Sequence, residues 1–416
     1  MFNLLKKRGV LFLGLSNAVS QLGDRLTYMV IITLIGIVSP GNIFAFSQFA
    51  ITFTLPIIIL SPFAGVLLDH SNKQIIMFRC HLLQSILIFL TPTFIVLTKS
   101  TAPIWVLVVL FYSLEVFNNT AKNSVIPDLV EYGNLVPANS IIITLARIAT
   151  FIGMVGGGVL IARVGWRFGF YIDATTHLIA GSLALGMGAR ILFDPVKKLE
   201  FSITKQLGKS LNLFLNDLKE LGILLSKDRM VIFVMISVFV LPFVAAIAHT
   251  VLIYLIQQEF GLGTAGVGWL GGVIGGGMLV GGVLMGFFGK KISRAKIIIG
   301  SIIILAALFL IGPVFVTPIF LYTIAFVSGI MFSFIGIAQD TILQEDVMRE
   351  IRGRIFATKE FFINVAFLTS AIVVGIISGV LATYTIIRFI GIILLVILVF
   401  AIFIYRSIPY EIRSKL

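Results

Sequence analysis

The chain has 416 residues, of which 59% are hydrophobic and only 12% charged, and its mean hydropathy is +1.11. Soluble domains carry about twice that charged fraction, so the composition excludes a soluble globular protein and indicates an integral membrane protein. The formal charge of +13 would suit nucleic acid in a polar chain; here the basic residues are better read as loop residues facing the cytoplasm, and no nucleic-acid partner is expected.

The first residues read MFNLLKKRGVLFLG, a basic start before an apolar run, as a signal peptide would. The run continues to about Val38 with no small-residue cleavage site, so it is read as a first transmembrane helix. A hydrocarbon core of ~30 Å takes about 20 helical residues. Apolar segments fall in chain order at 10–38, 43–67, 75–98, 103–120, 138–163, 166–189, 230–258, 265–289, 296–316, 318–339, 357–382 and 384–405. Twelve spans are therefore expected, in an all-α membrane protein. Cys80, the single cysteine, lies in the third; it excludes an intrachain disulfide and is assigned to packing.

With the N-terminus inside, the cytoplasmic regions hold 25 of the 31 lysines and arginines. Both termini are expected to be cytoplasmic, in a multi-pass protein of the cell membrane. Outer connections such as VSPGN and TKSTAP are too short for an external domain. The longest polar stretch, 190–229, divides the chain into six spans at 1–189 and six at 230–416. Within it Ile203, Leu207, Leu211, Phe214, Leu218 and Leu221 recur at spacings of three and four, as on an amphipathic helix lying along a membrane surface. A plain linker helix reads the same way.

An internal repeat supports the division. GVLLDHSNKQII begins at Gly65 and GVLMGFFGKKIS at Gly282; SVIPDLV begins at Ser124 and TILQEDV at Thr341, so both matches share an offset of 217. Each half has an even number of spans, which makes the repeat parallel, with substrate expected near the midplane between halves.

The loop after span two reads Gly65-Val-Leu67-Leu-Asp69-His70-Ser-Asn72-Lys73-Gln74. It resembles the Gly-x-Leu-Ala-Asp-Arg-x-Gly-Arg-Lys signature of the major facilitator superfamily. Gly65, Leu67 and Asp69 match and Lys73 replaces an arginine, while His70 and Asn72 depart from the pattern. Within that superfamily, SQLGDRL in span one, SVIPDLVEYGNLVPANS before span five and LQEDVMREIRGRIF before span eleven resemble the drug and macrolide efflux branch. Bacterial lysophospholipid transporters and siderophore exporters share similar stretches. The resemblance implies two six-helix bundles working by alternating access. Gly65, Asp69 and Lys73 would form an inner gate, with Asp69 meeting a helix N-terminus, Arg147 or Lys122. It also implies a monomer without cofactor.

Asp24 and Arg25 stand side by side inside span one, where a charge costs about 2.5–3.5 kcal/mol or more. Asp24 lies ~21 Å past Val10 along the helix, close to the midplane. Asn17, Gln21, Asp24 and Tyr28, spaced four, three and four, make one polar face, which must meet water or protein. Arg25 points about 100° away, toward a neighbouring helix. Glu115 in span four and Arg147 in span five offer an Asp24–Arg147 or an Arg25–Glu115 pair. Asp173 and His177 in span six are expected to pair with each other.

In the second half, His249 and Arg388 are the ionisable candidates within the apolar runs, so proton coupling is expected to run through the first half. Gly153, Gly156, Gly157 and Gly158 in span five resemble the glycine-rich motif of antiporters without its proline. Span eight is richer still, and such spacing suits close packing or sliding. No P-loop, His-Glu-x-x-His or Gly-x-Ser-x-Gly appears, so neither ATP use, nor metal, nor enzyme chemistry is expected. The function expected is export of hydrophobic or amphipathic small molecules in exchange for protons. A lysophospholipid facilitator or flippase, or a siderophore exporter, is the alternative.

Overall fold

The computed structural model describes residues 7–68, 72–131, 134–188, 212, 229–288, 292–315, 317–346 and 349–408. Among them the regular elements are helical. They are α1 (Arg8–Val38), α2 (Ile43–Leu68), α3 (Lys73–Thr98), α4 (Ala102–Leu129), α5 (Leu135–Val164) and α6 (Trp166–Gly186), then α7 (Arg229–Glu259), α8 (Gly263–Phe288), α9 (Arg294–Ile311), α10 (Pro318–Asp346), α11 (Arg349–Ile377) and α12 (Thr383–Ser407). The helix α7 is irregular: after Val240–Ile247 it makes two π-helical turns, Ala248–Leu252 and Leu255–Glu259. Asp69 and the amphipathic pattern of 190–229 lie outside the described residues, apart from Asn212 and Arg229 in that stretch.

Eleven of these helices are long and apolar enough to cross a membrane. The exception is α6, whose middle carries Asp173, Thr175, Thr176 and His177. Many large apolar side chains are exposed, among them Leu97, Phe287, Ile319 and Phe403, as contact with hydrocarbon favours. The fourth helix is longer than its apolar run suggests: it continues through Asn118, Asn119, Lys122 and Asn123 to Leu129. Of these, Asn118, Asn119 and Lys122 pair with other side chains rather than competing for the helix backbone. Between α5 and α6 stands Gly165 alone, at φ +82°, a left-handed conformation that suits glycine.

The chain forms two compact units. One comprises Met1–Pro40, Thr52–Leu213 and Leu262–Trp269; the other comprises Gly41–Ile51, Phe214–Gly261 and Leu270–Leu416. In the first, α1 packs along α5 and α6, and α3 along α4 and α6. In the second, α7 packs along α11 and α12, and α9 along α10 and α12. The second set is the first advanced by six helices, so the weak sequence repeat is a repeat of packing.

An ion pair is repeated as well. Lys73 opens α3 and reaches Asp128 near the end of α4, 3.0 Å away, while also donating to the Ser124 carbonyl at 2.9 Å. Arg294 opens α9 and reaches Glu345 near the end of α10 at 2.8 Å. Each cation sits at the positive end of its helix and each acid at the negative end of its own, so pairing offsets both conflicts. The preceding residues cap the helices, Asn72 accepting from the Ile75 amide at 3.2 Å and Ser293 from the Lys296 amide at 3.5 Å.

In the first unit, the end where α1, α3 and α5 begin and α4 and α6 finish is sealed by an apolar cluster. Val10, Leu13, Met77, Val125, Ile141 and Met187 are buried in it. There Gln74 donates to the Leu185 carbonyl and Arg8 to the Gly186 carbonyl, satisfying the open C-terminus of α6.

Candidate functional site

A cavity of about 450 Å³ opens within the first unit. Helix α1 presents Asn17, Gln21, Asp24 and Arg25 to it, three of them from the expected polar face. The fourth member of that face, Tyr28, is buried and does not line the cavity. Arg25, expected to turn away, does line it. Helix α4 adds Tyr112, Glu115, Asn119 and Lys122, at spacings of three, four and three, a polar stripe like that of α1. Helix α5 adds Asn139, Arg147 and Thr150. Ile57, Phe111, Ile126, Ile142, Ile143 and Ala146 complete an apolar part of the lining. Gly153 and Gly157 let α5 approach α1: a Cβ on Gly153 would stand 2.9 Å from Arg25 Cβ and 3.0 Å from the Leu22 carbonyl oxygen.

The expected pairs Asp24–Arg147 and Arg25–Glu115 are not formed among the described residues. Amides engage one oxygen of Asp24 and both of Glu115 instead, while Asp24 Oδ1 is buried without a hydrogen-bond partner among the described residues. Gln21 donates to Asp24 Oδ2 at 2.9 Å, and Glu115 accepts from Asn119 at 2.8 Å and Gln84 at 3.1 Å. Lys122 is likewise taken up by side-chain amides, donating to Asn119 at 2.6 Å and Asn17 at 3.0 Å. Neutral donors satisfy a buried carboxylate without burying a second charge.

Behind Asp24 lies a second layer. His177 Nε2 stands 3.4 Å from Asp24 Oδ1 and 3.6 Å from Asp173 Oδ1. The expected pairing of Asp173 with His177 is thus part of a larger cluster that includes Asp24. Asp173 also accepts from Thr27 and, at 2.9 Å, from Thr176. The other ring nitrogen, His177 Nδ1, is 3.2 Å from His81 Nδ1 on α3. The two ring nitrogens of His177 thus face different neighbours, Nε2 the two carboxylates and Nδ1 the His81 ring. Phe111 closes on His177 edge-to-face, with ring centroids 5.4 Å apart. His177 and Asp173 are wholly buried, whereas the Asp24 side chain keeps 11% exposure and links the cluster to the cavity. Gly23 packs against Thr176 and Asp173, where a Cβ would overlap both side chains.

The remaining candidates lie elsewhere. Lys73 is in the ion pair with Asp128; Gly65 lies near the end of α2. His249 belongs to the second unit, on a π turn with its ring edge-on to Phe367 at 5.6 Å. Arg388 is exposed on α12. That unit also holds a buried cation absent from the sequence-based expectation, Lys359, which donates to Asp340 at 2.5 Å. Sequence reasoning also left out His81, Gln84, Asn119 and Tyr112. The α4 stripe could have been found by the periodicity that exposed the α1 face.

The sequence model of the Major Facilitator Superfamily matches residues 13–248 and again 234–415. The chain belongs to the major facilitator superfamily. Two matches in tandem are what the repeated packing requires of such a transporter. A curated relative, the uncharacterized MFS-type transporter YfiS of Bacillus subtilis (strain 168), is 25% identical over 177 residues, 42% of this chain and 41% of the relative. The chain thus matches less than half of that relative's length. Among solved structures, the nucleoside transporter NupG superposes with a TM-score of 0.73 at 12% identity, covering 94% of this chain and 99% of that one. A bacterial homologue of the iron transporter ferroportin superposes at 0.71 and 12% identity, covering 96% and 98%. At such identities the likeness is one of fold.

Proposed function

We propose that this transporter moves amphipathic small molecules across the cell membrane by alternating access, coupled to protons, with both termini in the cytoplasm. The observation that carries the reading is the first unit's cavity. It has a charged and amide wall from α1 and α4 and an apolar part from α2, α4 and α5, and Asp24 joins it to the buried His177–Asp173–His81 cluster. A polar face within a spanning bundle serves water or substrate rather than lipid, and a carboxylate bordering it can take and release a proton. Asp24 is the exchanging group, His177 its relay, and the wall around Glu115 and Lys122 meets the substrate's polar part. Lys73 with Asp128 acts in the inner gate. A purely hydrophobic substrate fits this cavity poorly; an amphipathic one fits both of its walls.

The test is reconstitution into proteoliposomes holding a pH-sensitive dye, with amphipathic solutes and dyes added in turn. A coupled substrate moves protons in wild type and not in Asp24→Asn. Substrate flux that ignores an imposed pH gradient would overturn proton coupling and favour the facilitator reading, to which the cavity's mixed lining also lends itself.

A further inference from the structure

The carboxylates of the cavity are engaged by amides and His177, and Lys122 by two asparagines. Arg25 and Arg147 remain. Among the described residues neither forms an ion pair, and Arg25 Nε is buried without a hydrogen-bond partner. Three cations line the cavity against two acids, Asp24 and Glu115. A guanidinium left without a carboxylate inside a membrane span needs an anion or water, and its planar fork matches carboxylate and phosphate oxygens.

We infer that the cavity binds the negatively charged head of an amphipathic substrate, a carboxylate or a phosphate, through Arg25 and Arg147, with its alkyl part along Ile142, Ile143 and Ile57. This rests on the reading of the cavity as the substrate site. It also fixes the sign of coupling. Asp24 shares the cavity wall with Arg25 on its own helix, Tyr112, Glu115 and Lys122 on α4 and Arg147 on α5, and is backed by Asp173 and His177 on α6, with His81 on α3 behind. Of these, the charge that a proton on Asp24 removes is one that repels the anion. Anion and proton therefore bind together, which gives cotransport; exchange would require them to exclude one another.

The experiment uses purified protein in phosphatidylcholine nanodiscs, with empty nanodiscs as the blank, and calorimetric titration of octanoate, octyl phosphate, inorganic phosphate and octyltrimethylammonium. At least one of the two tailed anions binds about tenfold or more tighter than the cation, a difference of ~1.4 kcal/mol. Weak binding of inorganic phosphate supports an amphipathic anion; equal binding of inorganic phosphate overturns the alkyl part. Arg147→Gln and Arg25→Gln each weaken the anion about tenfold or more, and Arg147→Lys retains part of the affinity. Asp24→Asn removes the repelling charge as a bound proton would, and binds octanoate several-fold tighter than wild type at pH 7.5; unchanged or weaker octanoate binding in that variant overturns the sign of coupling. Tighter binding of octyltrimethylammonium, or unchanged anion affinity in both glutamine variants, overturns the inference. Proton-driven transport of cations alone would keep the functional reading and discard this one; arginine-dependent anion binding without proton-driven flux would do the reverse.

Discussion

His177 Nε2 on α6 lies 3.4 Å from Asp24 Oδ1 on α1, so the acid that borders the cavity is backed by an imidazole sealed in protein. Substitutions along this line separate proton handling from folding.

Asp24→Asn keeps an oxygen for the Gln21 amide and removes the charge. Transport driven by an imposed pH gradient should fall at least about tenfold (~1.4 kcal/mol in barrier), while the unfolding temperature of the purified protein shifts by no more than a few degrees. Wild-type gradient-driven flux in this variant would remove Asp24 from the proton path.

Asp173→Ala deprives Thr27, Thr176 and His177 of one shared acceptor. Stability should drop by about 1–3 kcal/mol, since orphaned buried donors cost more than a lost bond, and the loss should show in thermal unfolding. His177→Gln should keep more of that stability and still slow proton movement. If His177→Gln translocates protons at the wild-type rate, the relay role is wrong.

Neighbouring glycines on α8 provide an internal control. A Cβ on Gly277 would overlap the Phe326 carbonyl on α10, whereas one on Gly276 would meet nothing within 4 Å. Gly277→Ala should destabilise by about 1–3 kcal/mol, and Gly276→Ala should be neutral or stabilising by about 0.5–1 kcal/mol. Equal unfolding temperatures for the two variants would contradict the close approach of α8 and α10.

Lys73 and Asp128 are both partly exposed, so their pair is worth about 0–1 kcal/mol to static stability. If the pair gates one side, Lys73→Asp or Asp128→Lys alone should slow transport several-fold with little change in unfolding temperature. The double swap should recover most of the rate. A double variant as slow as the sum of the singles would show that the two residues do not act as a pair.

The helices and their number were legible because each apolar run answers to one physical requirement, the thickness of hydrocarbon. The α1 face was legible for the same reason in reverse, since Asn17, Gln21 and Asp24 stand out against an apolar background. The partners were not. Asp24 and Arg147, or Arg25 and Glu115, look like natural pairs in a sequence because opposite charges attract. Which pairs form depends on helix rotation and on neutral competitors, and Gln21, Gln84 and Asn119 gave no sign of being those competitors. His81 shows no pattern of its own on α3; only the packing of α3 on α6 brings it to His177. The span-four end was misplaced at 120 because asparagines and a lysine read as a loop when their partners are unknown.

The polarity of α6 bears on how the chain enters the membrane. A segment with Asp173 and His177 at its centre inserts poorly by itself, because each ionisable group there opposes transfer into lipid. Its partners, Asp24 and Thr27 on α1 and His81 on α3, lie upstream and have left the ribosome before α6 emerges. Synthesis order thus supplies the shielding in advance. Truncated nascent chains lacking α1 should strand α6 outside the bilayer even though its own sequence is intact.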